Sequence, residues 1–425
     1  MKAHALLLCL GASLTALPAS AGAEETGEAI AWRECVREAW RQNPDLAAAL
    51  AKLGQSKADR RIAVSPLLPQ VTASTNDDKA KGTDGAVGEA HSLGLNAQQL
   101  LFDGFKTPFE IGKAGEGITA SRWAYLVTSS DVRLRLRNAY VDLLRAQDLV
   151  TITREITDRR KQNTDLVTLG YEAGREHKGS LMLSQADLAQ AEYDVAAALR
   201  AIEFGRRRLT KEMGRPHSAP LKTGGDFALD APGPERPDFE QLCETNPFLH
   251  ELASLKEAAR WVVKSSQADY FPQIYGSIGM NKIGSGWPAR GDEKDIGISM
   301  NWPLYEGGQR VAGVAKSKDI FLQTEADERS GRDGVVLTLT DAWTKLRNAI
   351  EQVDVQRKIL AAAEERAKIS RAQYSIGLLS FDNWTIIEDS LVRSKNTFLD
   401  ACGAEGLAEA AWVQARGGTL EDEVR

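Results

Sequence analysis

The residue types that perform most enzyme chemistry are few in this sequence and lie far apart. Its five histidines are scattered, and none of them falls at a spacing typical of a metal site. The sequence contains no G-x-S-x-G nucleophile motif, no Walker A loop and no G-x-G-x-x-G. We therefore predict no catalytic residues, no metal site and no cofactor, so that the protein is not an enzyme.

The cysteines offer no redox or disulfide chemistry that organises the chain. Cys9 lies in an apolar N-terminal run, which leaves Cys35, Cys243 and Cys402 for the rest of the sequence. Three separated cysteines without a C-x-x-C pair do not form a disulfide framework. At least one of them is free or paired between chains.

Composition excludes several broad classes of protein. The 425 residues include 53 basic and 59 acidic side chains, for a net charge of −6, and 43% are hydrophobic. Without a basic excess, nucleic acid is not an expected partner. The chain is too polar for a helical membrane protein and too apolar for a disordered one.

The N-terminus has the features of a secretory signal peptide. Lys2 precedes an apolar run over residues 5–17, and small residues offer cleavage after Ala21 or Ala23. No later run without charge reaches the ~18 residues that a membrane-spanning helix needs. We expect an exported chain that is either soluble outside the cytoplasm or crosses the outer membrane as a β-barrel.

An internal repeat organises the chain. Asn43-Pro44 recurs 203 residues later as Asn246-Pro247. The same offset relates Pro69-Gln70 to Pro272-Gln273, Leu101–Gly104 to Leu304–Gly307, and Tyr171–Gly174 to Tyr374–Gly377. We therefore predict a signal peptide (1–23), a first repeat (24–213), a Pro-rich irregular segment (214–238), a second repeat (239–416) and a C-terminal tail (417–425).

Two segments in each repeat alternate between apolar and polar residues. In the segment 91–101, Leu93 and Leu95 fall on one face and Gly94 and Asn96 on the other. Similar alternation occurs over 71–76, 274–281 and 296–304, and a period of two predicts β-strands. The small polar face suits a water-filled lumen and the apolar face suits lipid, although a sandwich packed on a core shows the same alternation. Four strands cannot close a membrane barrel, whose smallest members have ~8, so spanning strands have to be shared between chains.

Long helical patterns without interior proline follow the strands, over about 108–169 and 310–372. A heptad seam is formed in the second by Leu339, Trp343, Leu346, Ile350 and Val353. About 60 residues at ~1.5 Å each give a helix of ~90 Å, which exceeds the diameter of an ordinary domain. After a glycine-containing break, a shorter helix returns, and each repeat is therefore predicted to end in a helical hairpin.

These features, in this order and duplicated, resemble the TolC-type outer-membrane efflux family. The residues that carry the resemblance are the Asn-Pro and Pro-Gln pairs, Leu-Leu-Phe-Asp-Gly at 100–104, Trp-Pro-Leu-Tyr-Glu-Gly-Gly-Gln-Arg at 302–310, and the two Tyr-x-x-Gly breaks. The resemblance implies a mainly α fold with a membrane β-barrel, in which three identical chains each contribute four strands to a twelve-stranded barrel that a periplasmic α-helical tunnel continues. It implies a passive exit duct of a tripartite efflux or type I secretion system. Its partners would be itself, outer-membrane lipid, a periplasmic adaptor (membrane fusion) protein and an inner-membrane pump or ABC transporter.

The resemblance also suggests which residues dock the adaptor. In the family, the Tyr-x-x-Gly breaks are the turns at the helical tips, where the adaptor binds. The candidate contacts are Gly174, Arg175, Gly377, Leu378, Leu379 and Ser380. Glycines at these positions are equally explained as C-caps that end the helices.

Family members close the tunnel near these tips with polar and acidic rings. Tyr374 matches the tyrosine of the second tip, but Leu379, Asn383 and Ile386 stand where archetypal members carry an arginine and two aspartates. The nearby candidates for a different constriction are Tyr374, Asp382, Glu388 and Asp389. Each acidic residue is alternatively a solvated charge on a helix surface.

Two other classes of protein stay open at this point. A periplasmic coiled-coil adaptor or scaffold without a pore also has long helices, but it has one hairpin and an anchor, whereas this chain has two hairpins. A secreted enzyme would need a catalytic constellation, and the sequence shows none.

Overall fold

The computed structural model describes residues 28–81, 87–216, 220–225 and 235–424. The predicted signal peptide lies outside these ranges. The first half consists of β1 (Glu28–Ile30), α1 (Trp32–Gln42), α2 (Pro44–Val64), β2 (Gln70–Lys81), β3 (Val87–Phe102), α3 (Lys106–Glu172) and α4 (Lys178–Met213). After β4 (Leu221–Thr223), the second half consists of α5 (Phe239–Cys243), α6 (Pro247–Ala268), β5 (Gln273–Gly284), β6 (Gly291–Asn301), α7 (Gln309–Ser375), α8 (Phe381–Ala415) and α9 (Glu421–Val424).

The two halves of the chain have equivalent elements. Helices α3 and α7 each contain 67 residues, and they begin and end 203 residues apart, at 106 and 309 and at 172 and 375. Strands β2 and β5 each contain 12 residues at the same offset. The repeat read from the sequence is therefore a repeat of structure.

The Asn-Pro pairs fix the start of α2 and of α6 by the same contacts. Asn43 caps α2, because its side-chain oxygen accepts a hydrogen bond from the backbone N–H of Asp45 at 2.9 Å, and Pro44 occupies the first helical position, where no donor is needed. The Asn43 amide nitrogen also donates to the carbonyl of Glu212 in α4, at 2.8 Å. Asn246 caps α6 and donates to the carbonyl of Ala415 in α8, at 3.0 Å. Each buried asparagine thus joins the beginning of one helix to the end of another.

Strands β2, β3, β5 and β6 form one antiparallel sheet in the order β2-β3-β5-β6. Its apolar face carries Leu93, Leu95, Ile278, Ile296 and Ile298, and the register places Ile278 directly opposite Ile296 and Leu95 opposite Met280. Its polar face carries residues such as Asn96, Ser277 and Ser299. Both edges of the sheet, β2 and β6, lack a partner strand within the described chain.

The helical core follows the predicted heptad seams. In α7 and α8, Leu339, Trp343 and Leu346 are buried together with Trp412. The equivalent stretch of α3 buries Leu136 and Leu143 against α1, α4 and β4. No helix in the described part of the chain is long and apolar enough to cross a membrane.

Five of the described elements, β1, α1, β4, α5 and α9, were not predicted from the sequence. The segment 214–238, expected to be irregular, contains β4, which pairs in parallel with β1. The tail at 417–425 contains α9, whose Glu421 accepts a hydrogen bond from Tyr125 at 2.7 Å and whose neighbour Leu420 is fully buried. Helix α1 lies before the Asn-Pro pair, whereas the prediction had the first helix begin at that pair. These elements are short, and contacts with distant parts of the chain, rather than local periodicity, stabilise them.

We predict that Asn246→Ala lowers the free energy of unfolding by about 1–3 kcal/mol, because it removes both a helix cap and a buried hydrogen bond between two helices. The control is Asp238→Ala, since Asp238 is an exposed cap of α5 that bonds only the next turn. Chemical denaturation of the purified protein in detergent measures both changes. An equal loss in the two variants would show that the bond to Ala415 contributes nothing.

Candidate functional site

The two long helices end in turns of the same geometry. The first tip is the turn 173–177 between α3 and α4, and the second tip is the turn 376–380 between α7 and α8. Gly174 and Gly377 have φ values of 71° and 79°, a left-handed conformation that favours glycine. In each tip the following residue, Arg175 or Leu378, donates its N–H back to a carbonyl of the last helical turn, at 2.8 and 2.9 Å. This is a Schellman motif, so the glycines do act as C-caps.

The tips differ in the surface that they expose. Leu378 is 75% exposed and Ile376 is 70% exposed, so the second tip presents an apolar surface. The first tip exposes Arg175 at the equivalent position. Ser380 is exposed at the start of α8, whereas Leu379 packs against an internal cluster. Of the candidate docking residues, Leu379 is therefore the one that faces mainly into the chain.

An aromatic cluster joins the two tips. The ring of Tyr374 stacks on Trp384 with centroids 4.0 Å apart, and Phe381 and Val167 are buried beside them. The Tyr374 hydroxyl donates a hydrogen bond to Glu176 of the first tip, at 3.1 Å. Burial, followed by the negative charge of Glu176, raises the pKa of Tyr374 well above its ordinary value, so the hydroxyl stays protonated and remains a donor. Tyr374 thus holds the second tip against the first.

Ion pairs connect α3 to α8 along their length. Arg137 pairs with Glu409, Arg145 with Asp400, and Arg159 with Glu388. The acidic partner moves back along α8 as the arginine moves forward along α3, as antiparallel helices require. We call this series the arginine ladder, and its last pair lies nearest to the tips.

The last pair of the arginine ladder contains the most deeply buried acid of the three pairs. The side chain of Glu388 is 2% exposed, and Arg159 reaches both of its oxygens, at 2.5 and 2.8 Å. Because this hydrogen bonding favours the charged guanidinium, it raises the pKa of Arg159. Charge-assisted bidentate pairs are among the strongest hydrogen-bonded contacts in proteins.

The neighbouring residues extend this ion-paired layer to a third helix. Arg160 pairs with Asp389 of α8 and, at 3.4 Å, with Asp187 of α4. Burial raises the pKa of Asp187, and Asp389 raises it further, while Arg160 opposes the shift. The layer therefore ties α3, α4 and α8 together below the tips.

The structure places the predicted constriction residues in different surroundings. Asp382 is exposed in the first turn of α8. Asp389 is half-buried and ion-paired, and Glu388 is buried between helices of its own chain. A buried, paired carboxylate contributes little charge to a water-filled passage, so Asp382 is the acidic candidate that keeps a free surface.

The apolar face of the sheet is exposed in the single chain. Ile296 is 85% exposed and Ile298 is 77% exposed, although both are large aliphatic side chains. Leu93, Leu95 and Met280 continue this surface across the neighbouring strands. A contiguous apolar surface of this kind is an interaction site for a membrane or another protein.

The limit of the apolar face on the side of the strand loops runs obliquely across the strands. On β6 the first charged side chain met toward the loops is Lys294, which lies opposite Met280 of β5. On β5 the first charged side chain is Lys282, two residues closer to the loop than Met280. On β3 and β2, Leu95 and Ala73 are level with Lys294. The first titratable residues of these strands, His91 and Asp77, lie four residues closer to the loops. The limit advances by two residues at each of the first two strand spacings and by none between β3 and β2; four residues at ~3.3 Å over three spacings of ~4.8 Å give an average angle of about 40°. Strands of membrane barrels are tilted by ~35–45°, so a horizontal boundary would cross them at this slope.

The described residues offer no group of three or more His, Cys, Asp or Glu that is arranged to hold a metal ion. Cys35, Cys243 and Cys402 are all free thiols, and burial raises the pKa of Cys35 to about 12. None of the three is therefore a reactive thiolate near neutral pH.

Residues 35–215 and 239–417 match the model of the family described as Outer membrane efflux protein, one segment in each structural repeat. The chain belongs to this family. The channel is 24% identical to the outer membrane efflux protein BepC of Brucella suis, over 77% of this chain and 72% of BepC. It shares its fold with the crystal structure of CusC, at a TM-score of 0.82 and 18% identity over 93% of this chain and 96% of that one. The open state of the Neisseria gonorrhoeae outer membrane channel MtrE aligns with a TM-score of 0.81 and 17% identity, covering 92% and 90% of the two chains.

These comparisons confirm the fold, location and general function expected from the sequence. The channel lies in the outer membrane, with its helical part in the periplasm, and it acts as an exit duct for efflux or type I secretion. Members of the family are channels rather than enzymes.

Sequence reasoning missed the arginines that hold Glu388 and Asp389. A sequence signal for the burial of Glu388 does exist, because Phe381, Trp384, Glu388 and Leu391 follow one another at heptad spacing and all four are buried. Asp382 and Asp389 lie off this seam. The partners on α3 lie 229 residues away, and spacing within α8 cannot identify them.

We predict that Glu388→Ala increases amide hydrogen exchange over residues 384–391 by on the order of thirty-fold, since an unpaired Arg159 destabilises the layer by roughly 2 kcal/mol. The matched control is Asp400→Ala, because Asp400 and Arg145 form a ladder pair that is 57% and 45% exposed. Exposed pairs contribute less than ~1 kcal/mol, so exchange around Asp400 should change only slightly. Equal effects in the two variants would contradict a special role for the buried pair.

Proposed function

We propose that three copies of the chain assemble into one passive export channel, with a twelve-stranded barrel in the outer membrane and a helical tunnel in the periplasm. The observation that carries this proposal is a sheet with an exposed apolar face and two unpaired edges, β2 and β6. Strand directions alternate across the sheet. The β6 edge of one copy therefore meets the β2 edge of the next as an antiparallel pair, and the ring closes without a parallel junction.

The polar face of the sheet then lines the lumen. Its residues are small or polar along most of the sheet, and its acidic side chains Asp78, Glu293 and Asp295 lie toward the strand loops. Three copies would triple this charge and favour the passage of cations over anions.

We infer that the helical tips form the periplasmic entrance and its constriction. Tyr374 supports this role by joining the two tips, and the ion-paired layer below supports it by fixing α8 against α3 and α4. Among the predicted constriction residues, Asp382 is the acidic one that keeps a free surface at this level.

The exposed tips are the surface that we assign to the periplasmic adaptor. Leu378 and Ile376 offer an apolar contact, and Gly174, Arg175, Gly377 and Ser380 leave the turns accessible. The inner-membrane pump or ABC transporter that works with this adaptor would supply the energy and select the cargo.

Barrel formation is tested by two neighbouring residues of β6 that face opposite sides. Ile298→Lys should prevent insertion and pore formation, because a lysine at mid-membrane costs ~2–4 kcal/mol per chain. Ser299→Lys places the same charge on the polar face and should leave pores that are less cation-selective. Conductance in planar bilayers, with heat-resistant trimers on gels as the assembly check, measures both. Pore formation by Ile298→Lys at the wild-type level would exclude the assignment of the faces.

Adaptor docking is tested at the second tip. Gly377→Trp should impair export while leaving the yield of trimers unchanged, because the added ring fills a surface that is otherwise open. Gly377→Asn is the control, since asparagine tolerates the left-handed turn and adds little bulk. Normal export through the Gly377→Trp channel would argue against docking at this turn.

A further inference from the structure

Acidic side chains at the loop end of the sheet lie on both of its faces, with Asp77, Glu89 and Asp292 on the apolar-face side, whereas its described lysines all lie on one face. Among the strand side chains that the structure describes, the three lysines, Lys79, Lys282 and Lys294, all lie on the apolar-face side. On the polar face, this end of the sheet carries the acids Asp78, Glu293 and Asp295 without a described lysine. A solvated strand end with no constraint on either face would not require this separation.

The three lysines differ in how they are held. Lys79 pairs with Glu89, and Lys282 with Asp292, directly across the strands. Lys294 is exposed and has no ion-pair partner within the described residues. Lys294 lies opposite Met280 of β5, and it is two residues from Ile296 on the same face of β6. Both of these apolar side chains are exposed.

Lys294 therefore stands at the boundary between the apolar face and the charged end of the strands. A lysine in this position extends its four-carbon stem along the apolar surface and places its ammonium group at the level of the lipid headgroups. The boundary on which it lies has the slope of a membrane plane crossing tilted strands, and it lies at the end of the sheet opposite to the helices.

We propose that Lys294 binds a phosphate group of the anionic glycolipid in the outer leaflet of the outer membrane. The proposal rests on the barrel assigned above. Two observations support lipid as the occupant: Lys294 is continuous with the exposed apolar face of the sheet, and its ammonium group has no ion-pair partner among the residues that the structure describes. Lys282 already has a protein partner, so Lys294 supplies the charge that lipid neutralises.

The test uses the full-length trimer with purified lipopolysaccharide as the probe. Native mass spectrometry of trimers that were exposed to lipopolysaccharide, or to phosphatidylcholine, measures the bound fraction of each lipid. Each lysine near an anionic lipid surface contributes to the attraction between protein and lipid. Lys294→Gln should therefore weaken lipopolysaccharide binding by about five-fold, and Lys294→Glu should weaken it further. Phosphatidylcholine binding should not change, and Lys294→Arg should retain wild-type binding.

Glu293→Gln is the matched control, since Glu293 is the adjacent residue on the opposite face. It should leave lipopolysaccharide binding unchanged. Equal binding by wild type and Lys294→Gln, or an equal loss in Glu293→Gln, would overturn the proposal. If lipopolysaccharide binding does not depend on Lys294 but the trimers still conduct in planar bilayers, the lipid site is excluded and the channel assignment stands. If the wild-type protein neither trimerises nor conducts, both the lipid site and the channel assignment are excluded.

Discussion

The unpaired edges of the four-stranded sheet constrain the rest of the structure. Strands β2 and β6 carry backbone N–H and C=O groups that no other strand of the described chain satisfies. Water can satisfy such groups at a protein surface, but lipid cannot, and each unsatisfied group in hydrocarbon costs several kcal/mol. A sheet with an apolar face and open edges is therefore incompatible with lipid as a single copy. Pairing β6 with the β2 of another copy satisfies the backbone groups of both edges. Because each copy has an even number of alternating strands, every such junction around the ring is antiparallel.

Duplication explains the framework of the chain, and the two halves differ at their tips and in the contacts that join them. The two halves keep the same element lengths and the same Asn-Pro contacts, which fix how each short helix meets the end of a hairpin. The tips have diverged, since one exposes Arg175 and the other Leu378 in an identical turn. The arginine ladder is also one-sided, because its arginines lie on α3 of the first half and its acids on α8 of the second. Contacts between the halves are thus not copies of contacts within them.

Local patterns were sufficient to predict the elements whose stability is local or repetitive. The heptad seam of α7, the alternation of β3 and the glycine turns all encode their structure within a few residues. Strand β4 and helix α9 have three and four residues, too few for a period to be visible. Strand β4 is stabilised by pairing with β1, and α9 is held by the burial of Leu420 in the core of the first half. The position of Glu388 shows the same limit, because heptad spacing indicates that it is buried but cannot identify Arg159 as the residue that neutralises it.

The burial of that ion pair is informative because buried ion pairs are often no more stable than apolar contacts of similar volume. Apolar side chains of similar volume would hold α3 against α8 at least as well, since burying two charges costs solvation that their attraction only partly returns. The two solutions differ in the separated state. Apolar surfaces that part expose hydrocarbon to water, whereas Arg159 and Glu388 regain their hydration. Below the tips, where we place the entrance and its constriction, a layer of Arg159, Arg160, Glu388 and Asp389 keeps the arrangement of the helices specific while lowering the cost of exposing its surfaces to a water-filled passage. The exposed pair of the arginine ladder, Arg145 and Asp400, faces no such change in solvation.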